Sequence, residues 1–261
     1  MEIGCEPFDP HRATLRAVEG CIGRIRCDSC DSIELAQWFS SYTNGHKERI
    51  AFDLDIIREN LPPGTRVLEV GSIPLLLTAA LAERRYKVTG IDIAPERFAS
   101  SIDLLDLTVL KCDVEREKLP SEGNMYDAVV FNEIFEHLRI NPIFTMREVL
   151  RVMKPNGLLF LSSPNLRSLM GIKNFLLRKR AYSCASDLYA QYEKLEKLGH
   201  VGHVREYTSV EVTDFLRKTG FIVIKVVYRG SYPSKKAQLA LRLFPTLRPF
   251  ISYIARKPAP A

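Results

Sequence analysis

Between residues 66 and 162, short apolar runs alternate with longer stretches whose apolar positions fall at helical spacing. The runs, rich in Val, Ile and Leu, predict buried strands at 66–70, 87–91, 107–111, 127–132 and 157–162. The stretches between them predict helices at 75–85, 95–101 and 142–153, with a loop at 113–123. Strands apolar on both faces, each followed by a helix, form a parallel sheet covered on both sides. After Pro164 the rhythm breaks. A basic and aromatic insertion at 165–205 precedes a helix at 209–219, a strand at 221–228, an amphipathic helix at 235–244 and a last strand at 250–255. These late strands lack the earlier kind of crossover, which predicts an antiparallel edge. The expected fold is α/β: a Rossmann-like, doubly wound, seven-stranded sheet, mostly parallel with an antiparallel edge strand.

Upstream the pattern is weaker. Pro7, Pro10, Gly20 and Gly23 punctuate the first thirty residues, which read as irregular. Ser32 is placed to cap a helix through Ile33, Leu35, Ala36, Trp38 and Phe39. A second helix is expected at 46–59, ended by Pro62-Pro63-Gly64. Residues 1–45 are therefore an expected extension, 46–261 the main domain, and 165–205 an insertion within it.

Composition narrows the classes. At 261 residues, 46% hydrophobic and 26% charged, the chain suits one globular domain with appendages. No apolar run is long enough to span a bilayer, and the first residues lack the pattern of a secretory signal. A cytoplasmic location is expected. The net charge of +6 is mild, but Lys and Arg cluster at 178–180, 235–236, 242, 248 and 256–257. Such clusters serve RNA, a phosphorylated substrate or peripheral contact with the inner membrane face; a solvated face is the simpler reading. Cys5, Cys21, Cys27 and Cys30 crowd near the start, with Cys27 and Cys30 as a CxxC pair. Zinc and redox roles both fit that pair, although irregular spacing to Cys5 and Cys21 favours unligated thiols.

The chemistry lies at the strand ends. In an open α/β sheet, ligands bind beyond the carboxyl ends of the strands. Those ends carry Glu69 and Gly71, Asp92, Asp113, and Asn132-Glu133. Asp92 follows Gly71 at the distance at which such folds place a ribose-binding carboxylate. An acidic cleft suits a nucleoside cofactor with an amine and a positive centre. A pyrophosphate would want several glycines, and here Ser72, Ile73 and Pro74 follow Gly71.

Five segments, in order, resemble the class I S-adenosylmethionine-dependent methyltransferases. They are Val-Leu-Glu-Val-Gly (67–71), Gly-Ile-Asp-Ile (90–93), Lys-Cys-Asp-Val (111–114), the 126–138 segment ending Asn-Glu-Ile-Phe-Glu-His-Leu, and Leu-Arg-Val-Met-Lys-Pro-Asn-Gly-Leu-Leu (150–159). The resemblance implies S-adenosyl-L-methionine as cofactor. It gives Asp92 to the ribose, Asp113 and Val114 to the adenine, and Glu69, Gly71, Ser72, Ile93, Asn132 and Glu133 to the remaining wall. The family's Gly-x-Gly-x-Gly turn is reduced here to Gly71.

A hydroxyl acceptor must lose a proton, to a base or with the help of a metal. His137 and His203 are the candidate catalytic residues. Glu133, Glu136 and His137 have i, i+3, i+4 spacing and, with His203, resemble the divalent-metal set of small-RNA 2′-O-methyltransferases and some ubiquinone-pathway O-methyltransferases. A metal-free role for the histidines and a structural one stand beside that reading. The insertion at 165–205 is expected to form an acceptor lid. The acceptor expected is a small molecule, a glycan or a lipid-linked intermediate, methylated at oxygen. An RNA 2′-O-methyltransferase and a non-catalytic binding protein are the alternatives, the first weakened by the lack of an RNA-binding module.

Overall fold

The computed structural model describes residues 12–28, 33–184, 187–198 and 202–259. Helix α1 (Arg12–Ile22) and the long α2 (Ile33–Asn60) lead into β1 (Arg66–Val70), α3 (Leu76–Glu83), β2 (Lys87–Asp92), α4 (Ala99–Leu104) and β3 (Thr108–Lys111). The second half runs β4 (Tyr126–Asn132), α5 (Pro142–Val152), β5 (Met153–Pro164), α6 (Leu169–Arg178), α7 (Leu188–Leu198), α8 (Ser209–Lys218), β6 (Ile222–Arg229), α9 (Lys235–Leu243) and β7 (Phe250–Arg256). The strands form one seven-stranded sheet in the order β3-β2-β1-β4-β5-β7-β6. All neighbours are parallel except β7, which runs antiparallel between β5 and β6. The expected sheet and its antiparallel edge are both present.

Alternate residues of the central strands face opposite layers, as the pleat requires. Val67, Ala128 and Val130 pack against Leu54, Ile57, Leu76, Leu81 and Phe98. Leu68, Val129 and Phe131 pack against Met146, Val149, Val152 and Leu216 on the other side. Each such side chain contributes roughly 1.5–3 kcal/mol when fully buried. Helices α5, α6 and α8 begin on side-chain caps: Asn141 Oδ1 accepts from Phe144 N, Ser168 Oγ from Gly171 N, and Thr208 and Glu211 form a reciprocal capping box.

The N-terminal region departs from expectation. The helices expected from Ile33 and at 46–59 are one helix, α2, which crosses the 45/46 boundary unbroken. Gly45 did not stop it, since a lone glycine in a helix costs only about 1 kcal/mol. The stretch read as irregular contains α1, whose Val18 and Cys21 are fully buried in the core shared with α2 and α3. Cys21 and Cys27 are buried; Cys5 and Cys30, and with Cys30 the CxxC pair, lie outside the described residues. Among the described residues, no helix is long and apolar enough to cross a membrane.

Candidate active site

A cavity opens at the carboxyl ends of β1, β2, β3 and β4, lined by Gly71, Asp92, Ile93, Asp113, Val114, Asn132, Glu133 and His137 among others. Trp38 and Tyr42 of α2 form part of its wall. A larger, open cleft at the opposite end of the sheet, between Arg58 and Tyr86, holds none of the strand-end carboxylates.

The glycine-poor turn after β1 is held by the backbone. Gly71 N and Ser72 N both donate to Ile91 O, at 2.8 and 3.1 Å. Ile73 N donates to Asp92 Oδ2 at 3.1 Å, and Ala94 N donates to Asp92 Oδ1 at 3.0 Å. Gly71 has φ 73°, and a Cβ there would overlap the Ile134 side chain. Gly90 is glycine for a related reason: a Cβ would lie 2.8 Å from the Cβ and Oγ of Ser72. Burial raises the Asp92 carboxyl above its ordinary pKa despite these amide bonds.

Asp113 closes the next strand end; its Oδ1 accepts from Glu115 N at 3.1 Å and its Oδ2 lies 3.5 Å from Arg116 Nε. Ile93, Val114 and Leu138 form apolar cavity wall near these acids. Carboxylates beside an apolar slot match the hydroxyls, amine and flat ring of an adenosine group, so the donor set fits the cofactor the sequence implies. Two of the expected cofactor residues stand elsewhere. Glu69 is buried behind the turn, accepting from Thr78 Oγ1 at 2.5 Å, and burial pushes its carboxyl up to about 8. Ser72 is buried, with an Oγ that has no hydrogen-bond partner, and neither residue lines the cavity.

On the other side of the cavity the chemistry is ionic. Glu133 follows β4 with φ 55°. Its Oε1 accepts from Ser162 Oγ at 2.8 Å and from Arg229 Nη2 at 3.2 Å, and its Oε2 lies 3.2 Å from Arg49 Nη1. Arg229 also reaches Asp53 Oδ1 at 3.6 Å. Burial opposes the charge on Glu133, but the two guanidinium groups outweigh it and hold the carboxyl below its usual range. Glu136 is the reverse case: it is fully buried, and among the described residues neither carboxyl oxygen has a hydrogen-bond partner. Burial and the charge on Glu133 push its carboxyl well above the usual carboxylate range.

His137 Nδ1 lies 2.9 Å from Gly202 O. A carbonyl only accepts, so Nδ1 carries the proton and Nε2 is the basic nitrogen of the neutral ring. The His203 ring packs edge-on to His137 with centroids 4.9 Å apart. His203 Nδ1 lies 3.3 Å from Glu206 Oε1, and Glu206 also accepts from the Ser183 backbone and hydroxyl. These bonds outweigh the effect of burial and bring Glu206 down to about 2. Ligand atoms of Glu136, His137 and His203 all lie within 4.8 Å of one another. Of the four residues expected to hold a metal, Glu133 is outside this group because two arginines and Ser162 occupy its carboxylate.

Several site residues carried no motif. Arg49 and Asp53 did leave a trace, a charged pair four residues apart beside Ile50, Leu54 and Ile57 on the apolar side of α2. Arg229 and Glu206 left none.

Comparison with known proteins places this geometry. A methyltransferase-domain family model matches residues 45–226. The ubiquinone biosynthesis O-methyltransferase of Xanthomonas campestris pv. campestris is 36% identical over 108 residues, which are 40% of this chain and 44% of that protein. The match thus spans under half the length of that relative. A SAM-dependent methyltransferase of Methanosarcina mazei superposes with a TM-score of 0.57 at 18% identity, covering 78% of this chain and 98% of the other. The [4+2]-cyclase SpnF superposes with a TM-score of 0.52 at 19% identity over 82% and 83% of the two chains. These last two likenesses are of fold.

Proposed function

This chain belongs to the S-adenosylmethionine-dependent class I methyltransferases, and from that premise we propose that it methylates a hydroxyl oxygen of a small-molecule acceptor. The carrying observation is the fixed tautomer of His137, whose Nδ1–H is committed to Gly202 O and whose Nε2 is therefore the proton acceptor. When bound, S-adenosylmethionine supplies an electrophilic methyl group on a sulfonium sulfur. Asp92 and Asp113 would hold its ribose and adenine, with Ile93 and Val114 against the ring. Glu133, fixed between Arg49 and Arg229, keeps the floor of the site rigid at the end of β4. His203 supports the His137 ring from the side. His137 Nε2 would take the hydroxyl proton as the acceptor oxygen gains the methyl group and the S–CH3 bond breaks, leaving a neutral thioether. Orientation supplies the rest, because in-line displacement at a methyl group depends chiefly on alignment. The oxygen-methylating relative in Xanthomonas supports the choice of acceptor atom.

A second reading rests on the unpartnered Glu136 carboxyl. Glu136, His137 and His203 would hold a divalent cation, which would polarise the acceptor hydroxyl. Both readings use His137 Nε2 and are therefore exclusive. His137→Gln is expected to reduce kcat about 10²- to 10⁴-fold while calorimetry shows unchanged cofactor affinity. Wild-type turnover that survives exhaustive chelation supports the base; turnover lost on chelation and restored by a divalent metal supports the cation. Full activity of His137→Gln sinks both.

A further inference from the structure

The mild net charge conceals a strong segregation. No Asp or Glu occurs between Glu148 and Asp187, and none after Asp214. Those two stretches hold seventeen of the 37 Lys and Arg residues, which leaves 20 basic against 31 acidic residues in the rest of the chain. The fold brings one part of each stretch to the same end of the sheet. Helix α6 follows the end of β5 and α9 follows the end of β6, so both stand at the end of the sheet that carries the active-site cavity. Tyr232 Oη accepts from Met170 N, and Asn165 Nδ2 donates to Thr246 O and Arg248 O, tying the two connections to each other.

The same helices expose apolar side chains that a soluble helix would turn inward. Phe175, Leu176 and Leu177 stand in the last turns of α6, directly before Arg178 and Lys179. Leu239, Leu243 and Phe244 stand on and just after α9, among Lys235, Lys236 and Arg242. All six apolar residues are at least 59% exposed. Single exposed leucines are ordinary, but clusters of them on two helices at the same end of the sheet are not. Cations interleaved with exposed Leu and Phe, without one carboxylate on either helix, complement an interface that is anionic at its surface and hydrocarbon just beneath. Nucleic acid would satisfy the cations and leave the aliphatic side chains in water.

We propose that α6 and α9 form a docking surface for an anionic lipid bilayer, which holds the mouth of the active site at the membrane. The surface does not depend on the transfer chemistry, so it stands or falls separately from the methyltransferase reading. It predicts that the full chain co-sediments with phosphatidylcholine vesicles containing phosphatidylserine and not with phosphatidylcholine alone. Lys235→Glu with Lys236→Glu should weaken this binding about tenfold or more. Leu239→Ser with Leu243→Ser, and separately Leu176→Ser with Leu177→Ser, should each weaken it severalfold. Unchanged cofactor binding by calorimetry in each variant shows that it is folded, and three independent pairs guard against the failure of any one. Absence of vesicle binding, or equal binding to neutral vesicles, overturns the proposal. So does a loss confined to the charge-reversal pair, with tight binding of a short RNA, since that marks a polyanion site instead.

Discussion

The two halves of the cavity solve the burial of polar groups differently. On the cofactor side, Asp92 and Asp113 are held largely by amides of their own or adjoining loops. On the acceptor side, Glu133 is held by side chains from α2, β5 and β6, the Arg229 contact spanning 96 residues of sequence. The first arrangement follows from backbone geometry and survives changes elsewhere. The second exists only once the whole sheet has closed, and beside it the Glu136 carboxyl has no hydrogen-bond partner among the described residues. The Asp92–Asp113 half is thus fixed by local backbone, while the Glu133–Glu136 half concentrates buried charge beside the two histidines, where the proposed proton transfer would take place.

That comparison breaks most sharply at Arg229. Its guanidinium contacts Glu133, Asp53 and Ser252 while almost wholly buried. Arg229→Met leaves two buried carboxyl groups short of a cation and should cost about 3–5 kcal/mol of stability in urea denaturation. Adding Glu133→Gln should recover part of this loss, because removing both members of a buried pair costs less than removing one. A loss below about 1 kcal/mol for the single variant would mean that the network is solvated, and the contrast between the halves would disappear.

The same contrast explains what could be read in advance. Strands, their order of chemistry and the places of Asp92 and Asp113 were legible because apolar runs and strand-end acids are local signals. The sheet edge was legible because the crossover pattern stops after Pro164. Long-range contacts were not. His137 to Gly202 spans 65 residues, and nothing local marks Gly202 as the group that sets the His137 tautomer. Glu133 was expected to ligate a metal because spacing puts it in line with Glu136 and His137, but spacing cannot show that arginines from two other elements reach it first. Glu69 was misplaced for a simpler reason: alternate residues of a strand face opposite layers, and Glu69 turns to α3, where Thr78 meets it. The unbroken α2 was missed because Gly45 and the polar stretch around it weaken a helical pattern that packing then enforces.

On the cofactor side the sharper test is Gly90. Its missing side chain makes room for Ser72, which carries the turn that replaces the usual glycines. Gly90→Ala places a methyl group 2.8 Å from Ser72 Cβ and should cost about 1–3 kcal/mol, with weaker cofactor binding in calorimetry. Pairing it with Ser72→Gly removes the two nearest atoms it meets, leaving Val109 Cγ2 at 3.2 Å, and should restore most of the binding. An isolated Gly90→Ala with native stability and affinity would show that the turn is not packed against β2, and the locally fixed half would lose its main support.

The most local test concerns Glu69, a buried acid behind the turn whose carboxyl accepts from the Thr78 hydroxyl. Burial raises its folded-state value from 4.5 to about 8, against the opposing effect of the Thr78 hydrogen bond. Below the unfolded value both states keep the proton and the full contribution to stability is present. Between 4.5 and 8 the unfolded chain has released its proton while the folded one retains it, so stability falls as pH rises through this window. Glu136 contributes with the same sign, which makes the difference between variant and wild type the informative quantity. Glu69→Gln keeps an acceptor for Thr78 and cannot ionise. Its stability relative to wild type, from urea denaturation at a series of pH values, should climb steadily across that window. A difference independent of pH would mean that Glu69 is ionised and hydrated in the folded protein, and the wall behind the turn would be open to water.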